Sequence, residues 1–488
     1  MLQKSYLKQL DRHNLAGMIL IILAFAPGVF VESFWSDDYS ILMETRNMAE
    51  HVLGDARPTL AAALYASFSL LQSPAFGWIL RCLALIALLL IFLFISKSLK
   101  KSLHYKMGIF CVAIAFCLPS FQMYVHWTNA WLFLWAALAG IYSFHLWNSG
   151  SMLRKVLGVL LLVLALTTYP LTGLFYFSAI MVTNVLNESK SSKFRSDVFR
   201  GLTLLITSGI VSISVAFASI QIAGMSRNGR VKLITLPEIP EKIAWLLSRS
   251  LVVGLRPFTI DSPTPSIALV TSLPILLILF LGIRRQSQLL GETFVDRAFV
   301  IAIPLILTLI PIMITSDNQI EFRLLAGYCW GILAIASFFL MIEIKSLKLI
   351  LKSGRRLEKT AILLTSTALA LIAITTVNLH YMQLFSGPYQ KKTAFLNTQI
   401  SSCFSKGIVE NVVILPPKEP FPSFQRLGVF SMATDLASIW VPKSNVELLL
   451  KLRKLERPVE YLASRPNSTK VPKTQCVIDL EKYRKLLI

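Results

Sequence analysis

Eleven apolar runs, each 15 to 23 residues long and separated by short basic loops, constrain this chain more than any other feature. They occupy 15–35, 76–96, 107–121, 128–147, 153–168, 171–186, 201–223, 266–283, 298–314, 324–342 and 360–379. A helix rises 1.5 Å per residue and a bilayer core is about 30 Å thick, so runs of about 20 residues read as membrane-spanning helices. The runs 107–121, 153–168 and 171–186 are short by that measure. The last two are joined by Tyr169-Pro170 and form either two spans or one re-entrant pair; both options leave the sidedness downstream unchanged. Apolar residues reach 55% and charged residues only 15%, against about 45–50% and about 25% in soluble domains. That balance excludes a soluble enzyme, a disordered tail protein and a secreted disulfide scaffold.

The chain carries a net charge of +22. In a soluble protein this excess would point to nucleic acid. Here it records orientation, because cytoplasmic loops of membrane proteins are enriched in Lys and Arg. With the N-terminus inside, 22 basic residues fall on the cytoplasmic side and 9 in the opposite loops. The expected fold is therefore a polytopic α-helical membrane protein of about eleven spans, N-terminus in and C-terminus out, with the lipid bilayer as a partner and no nucleic acid. Ala24-Phe25-Ala26 resembles a signal-peptide cleavage site, but Pro27 follows it directly, so the first run is expected to be a retained helix. The apolar stretch 58–72 is too short to span, and is expected to lie on the outer surface with Pro58 at the first helical position. The tail differs in kind. A strand-like run at Val412–Leu415, a Pro-rich turn from Pro416 to Pro422 and an amphipathic stretch at Asn445–Leu455 suggest a small α/β extracytoplasmic domain. The chain thus divides into a transmembrane domain, 1–382, with outer loops 36–75 and 225–265, and a C-terminal domain, 383–488.

The most informative segment follows the first run: Trp35-Ser36-Asp37-Asp38-Tyr39, a helical stretch, then Gly54-Asp55-Ala56-Arg57-Pro58. Ser36 or Asp37 can cap a helix whose apolar positions Ile41, Leu42, Met48, Ala49, Val52 and Leu53 share one face. Gly54 is the expected residue just past its end. Two adjacent carboxylates then begin a helix lying along the outer membrane surface. They serve either as a cap and dipole partner, or as a general base that takes a proton from an acceptor hydroxyl.

An Asp-containing first outer loop followed by surface helices resembles the membrane glycosyltransferases of the GT-C class. More narrowly, Ser36-Asp37-Asp38-Tyr39 with Gly54 and Arg57-Pro58 looks like the serotype-converting O-antigen glucosyltransferases of Gram-negative bacteria and their phages. Length, span number and an outer C-terminal domain agree with that family, while Ala56 interrupts a contiguous Gly-Arg-Pro. The resemblance implies a bacterial inner-membrane enzyme whose site faces the periplasm. It implies a polyprenyl-phosphate sugar donor, with glucose as the expected sugar, and an O-antigen or other lipid-linked glycan as acceptor. The acidic pair would map onto Asp37 and Asp38 as catalytic residues. A membrane enzyme that makes the donor and a flippase would be partners.

A leaving phosphate at the headgroup level needs cations and donors aimed at it. Arg57 and Arg81 are candidates, Arg81 alternatively forming a simple pair with Glu32. The outer loop 225–265 holds Arg227, Arg230, Lys232, Arg249 and Arg256, which suits an anionic lipid or an ordinary solvated loop. Trp35, Tyr39, Tyr124, Trp127 and Tyr169 fall at outer ends of runs, where they form an interfacial belt or platforms for a sugar. His126 is a second proton-transfer candidate, and Glu321 with Arg323 either bind acceptor or form a loop salt bridge. The six histidines form no metal-spaced pair and no phosphate-binding Gly loop is present. No metal site is assigned; Asp37 and Asp38 leave a divalent ion open. Cys403 and Cys476 lie in the tail, in an oxidising compartment by this topology, and are expected to form a disulfide. A polymerase or ligase acting on the same glycans would share this layout. A transporter or flippase would require charges near midplane and paired broken helices.

Overall fold

The computed structural model describes residues 11–31, 37–71, 73–100, 102–226, 233–250, 265–316, 322–351, 355–405, 407, 409–418, 440–455, 457–462 and 474–487. It is mainly helical, and the described residues of the apolar runs fall largely on helix, the conformation that satisfies backbone polar groups within its own segment. Among the described residues, seven helices are long and apolar enough to cross a membrane: Arg12–Phe30, Pro74–Ser98, Thr128–Trp147, Ser191–Ile222, Ser272–Leu290, Ala326–Lys345 and Leu363–Phe404. Large apolar side chains such as Ile206, Ile210, Leu277, Leu371 and Ile372 are exposed along them, a surface suited to lipid.

The structure gives seven such helices where the sequence suggests eleven spans, and local breaks explain the difference. The run 107–121 divides into Tyr105–Ala115 and Pro119–His126, bent by 62°, which would make an eighth crossing if the pair is one span. Pro119 cannot continue the first helix but starts the second at N1. Met152–Thr168 has 17 residues, about 25 Å of helix. Pro170–Gly173 and Phe175–Leu186 are separated at Leu174, and Phe294–Leu307 stops short of Ile310–Met313. Pro58–Leu71 is helical, and turns Leu60, Ala61, Leu64, Phe68 and Leu71 inward.

The main core gathers Phe116, Phe121, Phe175 and Trp330, with ring centroids between 4.8 and 6.4 Å apart. Arg297, wholly buried, is clamped by Gln286 Oε1 and the Ser189 carbonyl, and Glu292 is 3.9 Å away. Asn187 nearby donates to Ser98 O, which places this polar clasp at the end of the Gly77–Ser98 helix opposite Arg81.

The tail contains a three-stranded parallel sheet in the order β2-β1-β3, with β1 Asn411–Leu415, β2 Val459–Tyr461 and β3 Gln475–Asp479. Val412 pairs with Val459 on one side and Cys476 on the other. Val412, Ile414 and Ile478 join Phe395, Leu396, Ile400, Val446 and Leu450 in a second core. The helix carrying Phe395 is continuous with the last apolar helix: Arg355–His380 passes through a π-helical turn, Tyr381–Ser386, into Gly387–Phe404. The boundary expected at residue 383 falls inside that turn. Cys403 and Cys476 are disulfide-linked, with Cα atoms 5.3 Å apart, tying this helix to β3. The amphipathic helix of the tail runs Trp440–Leu452, starting earlier than Asn445.

Candidate functional site

The segment after the first helix folds as two helices, Asp37–Met43 and Thr45–Gly54, where periodicity suggests one. Glu44 interrupts it with φ −127° and ψ 49°. Gly54 is the last helical residue, and the left-handed position past the end belongs instead to Ala56, with φ 61°. Ala56 N–H donates to Leu53 O at 2.9 Å and Arg57 N–H to Val52 O at 3.4 Å, the paired bonds of a left-handed helix terminus. Glycine favours that conformation because it has no Cβ to crowd the carbonyl. The turn delivers Arg57 over the Tyr169 ring, 5.1 Å from its centroid. Tyr169 in turn stacks on Phe133 at 4.0 Å and 6°. Thr59 and Thr167, 2.7 Å apart through their hydroxyls, hold the following helix against Met152–Thr168.

Asp38 is fully buried, and its Oδ1 accepts the backbone N–H of Asn129 at 2.9 Å. The donor lies in the 3-10 turn Thr128–Ala130 that leads into the Trp131–Trp147 helix. Arg81, 1% exposed, donates from Nη2 to the Val31 carbonyl at 2.9 Å. Val31 is the C-cap of the Arg12–Phe30 helix, so the guanidinium helps to satisfy a carbonyl that the helix itself leaves without a donor. Asp38, Tyr381 and Tyr389 are near enough to act on the charge of Arg81. Tyr381 also donates to Val31 O at 3.4 Å. His126 packs between Phe25 and Tyr381, with ring centroids at 5.6 and 4.6 Å. Gly28 faces the same ring so closely that a Cβ there would collide with His126 and come within 2.8 Å of Tyr381 Cδ2.

The site therefore gathers Asp38, Tyr39, Arg81, His126 and Trp127 from the sequence candidates, all buried. Tyr124 and Tyr169 are buried too, inside the protein rather than in an interfacial belt. Arg57 is fixed by a different partner, Tyr169. Arg227, Arg230, Arg256 and Glu321 lie outside the described residues, as do Glu32, Ser36 and the side chains of Asp37 and Arg323. Among the described residues no group of three His, Cys, Asp or Glu side chains is placed to hold a metal ion.

Five participants escaped sequence reasoning: Asn129, His380, Tyr381, Tyr389 and Lys392. His380 Nδ1 is 2.9 Å from Gln122 Oε1, and Gln122 also donates to the Cys117 carbonyl left by the bend. Lys392, 2% exposed, holds its ammonium 4.2 Å from the centroid of Tyr39 and 5.9 Å from that of Tyr389. A usable signal was present, since polar and aromatic residues directly after the last apolar run sit at the same level as Arg81. The tail also docks on this segment through Ser40 Oγ and Ser444 Oγ, 3.1 Å apart.

No known family matches the chain and no curated protein matches it. Among solved structures, the oligosaccharyltransferase of Archaeoglobus fulgidus, tethered to an acceptor peptide containing the NVT sequon, is similar at 12% identity with a TM-score of 0.40. The match covers 88% of this chain and 64% of the other, and at that score it establishes no shared fold.

Proposed function

We propose that the protein is a membrane glycosyltransferase of the GT-C type. In this reading it transfers a sugar, glucose by resemblance, from a polyprenyl-phosphate donor to an O-antigen or related lipid-linked glycan at the periplasmic face of the inner membrane. One observation carries the reading: a carboxylate, Asp38, buried at the mouth of the helical bundle and oriented by the backbone N–H of Asn129. A buried carboxylate fixed in this way is costly for stability but suited to removing a proton.

The reaction is a single inverting displacement. The acceptor hydroxyl loses its proton to the Asp38 carboxylate, with Asp37 as the neighbouring alternative. The acceptor oxygen bonds to the sugar C1 as the C1–O bond to phosphate breaks, and the bonding pair leaves with the polyprenyl phosphate. Arg57, Arg81 or basic residues of the outer loop 225–265 stabilise the departing phosphate. His126 and Trp127 wall the site.

The test is glycan analysis of cells expressing the wild type, Asp37→Asn or Asp38→Asn at matched membrane levels. Loss of the added sugar in one Asn variant is expected. Full transfer by both variants would remove the catalytic assignment, and a wild type that moves a solute but adds no sugar would remove the enzyme class.

A further inference from the structure

The loop 225–265, a basic connection by its sequence, contains an amphipathic helix. A 3-10 turn, Leu236–Glu238, leads through Ile239–Trp245 into a π-helical turn, Leu246–Ser250. Thr235 opens it with a capping box: its backbone N–H donates to Glu238 Oε2 at 2.8 Å, and its hydroxyl oxygen accepts from the Glu238 N–H. At 3.6 residues per turn the segment has three edges. Lys242 and Leu246 are buried on the first, with Trp245 half-buried beside them against the main core. The Lys242 ammonium lies 4.5 Å from the Trp245 ring centroid. Glu241 and Ser248 are exposed on a polar edge. Leu236, Ile239, Ile243 and Leu247 recur every three or four residues on the third edge, and all are exposed, Leu236 at 82% and Leu247 at 57%.

A contiguous apolar edge beside polar residues marks an interaction surface. Its level identifies what covers it. Ser191, which starts the Ser191–Ile222 helix, is bonded to Glu292, just before the Phe294–Leu307 helix, so the two helices begin at one level. Beyond Arg200 the first is free of charged residues up to Ile222, a rise of about 33 Å, one bilayer core. The second continues through Ile310–Met313 to Ile314. There Ile234 N–H donates to the Ile314 carbonyl at 3.0 Å, and Leu233 pairs with Thr315. The amphipathic helix therefore starts where two apolar runs end, and Ile222, Leu233 and Ile314 are also exposed at those ends. Lipid is the occupant that this level supplies.

We infer that Leu236–Leu247 is an interfacial helix seated in the bilayer, with Leu236, Ile239, Ile243 and Leu247 among acyl chains at the headgroup boundary and Glu241 in water. The loop is then anchored to the membrane surface at this point instead of standing in solvent. The inference goes beyond the proposed reaction and does not depend on it.

The test uses full-length protein carrying Cys82→Ser, the remaining free cysteines being buried, in nanodiscs of phosphatidylethanolamine and phosphatidylglycerol. Single nitroxide labels are attached in Ile243→Cys, Leu247→Cys and Glu241→Cys. Ile210→Cys, an exposed position within the Ser191–Ile222 helix, is the lipid reference. Accessibility to oxygen, which concentrates in lipid, is compared with accessibility to a water-soluble nickel chelate. Ile243→Cys and Leu247→Cys should favour oxygen and report a depth of about 5–10 Å into the headgroup–acyl boundary, while Glu241→Cys should favour nickel. Leu236→Cys replaces either apolar position whose variant fails to fold. Nickel access at the apolar positions equal to that at Glu241→Cys puts the edge in water and overturns the inference. Shielding from both reagents means that protein covers the edge, a second copy or another partner, and overturns it too. If Ile210→Cys does not favour oxygen, the inference falls together with the membrane setting of the bundle.

Discussion

Asp38 Oδ1 accepts the backbone N–H of Asn129 at 2.9 Å, so the turn that opens one apolar helix orients a carboxylate from the segment following another. The bond needs an oxygen at that position but no charge. Asp38→Asn keeps an Oδ1 and should keep the fold, while removing the proton acceptor. Its thermal midpoint should stay near that of the wild type, and sugar transfer should fall about 100- to 10,000-fold, the range of a positioned general base. Asp38→Leu would lose both and should be destabilised as well.

Ala56 sits in the left-handed region at φ 61°, where a Cβ costs about 1–2 kcal/mol. Ala56→Gly should therefore stabilise the protein by about 1 kcal/mol or less, after the entropy that glycine adds to the unfolded chain. Ala56→Val, with its branched Cβ, should destabilise it. Thermal unfolding in detergent distinguishes the two directions.

Hydropathy made the helices legible, because a long apolar run in a bilayer has helix as its open-chain solution. The acidic pair was legible for a similar reason: adjacent carboxylates directly after an apolar run are conspicuous. Interruptions at Glu44, at Pro119 and at Leu174 were not, since each replaces a few helical bonds without altering composition. Lys392 and Tyr381 were hidden by distance along the chain, as the Ser40–Ser444 contact across 404 residues makes plain. No local pattern announces that a lysine in a basic tail will turn inward onto a tyrosine beside the first outer helix.

Gly28 lets the first apolar helix approach the His126 and Tyr381 rings. Gly28→Ala should force both rings aside, costing about 1–3 kcal/mol as overpacking and lowering sugar transfer through displacement of Tyr381. Gly209, on the Ser191–Ile222 helix, has nothing within 4 Å of a Cβ. Gly209→Ala should be neutral or slightly stabilising, as alanine is the better helix former. Comparing the two variants for thermal midpoint and transfer separates a steric effect from general intolerance to alanine.

His104 lies beyond the Gly77–Ser98 helix, 3.8 Å from Glu188 and against the Phe338 ring. Burial, followed by the Lys345 charge, lowers its pKa from the usual 6.5 despite the pull of Glu188. The unfolded chain then binds the proton first as pH falls. The stability contribution is complete above about 6.5 and declines as pH drops through that value toward the lower folded one. His104→Phe should flatten this part of the pH–stability curve, as read by thermal midpoints between pH 8 and pH 5.

Glu481 opens the last helix, and its carboxylate accepts from the Arg484 guanidinium at 2.9–3.1 Å and from the backbone N–H of Lys418 at 2.9 Å. The Arg484 bonds, then the Lys418 bond, hold its pKa at about 2 against an ordinary 4.5. The folded pKa is the lower one, so the stabilisation is fully present above about 4.5 and is lost as pH falls from there to about 2. Because the bond joins the end of β1 to the C-terminal helix, acid should loosen the tail. Limited proteolysis of the full-length protein should show cleavage in the tail rising over that window. Glu481→Gln should raise tail cleavage at neutral pH and remove this component of the acid response; a variant with the wild-type profile would mean that the bond contributes nothing to tail stability.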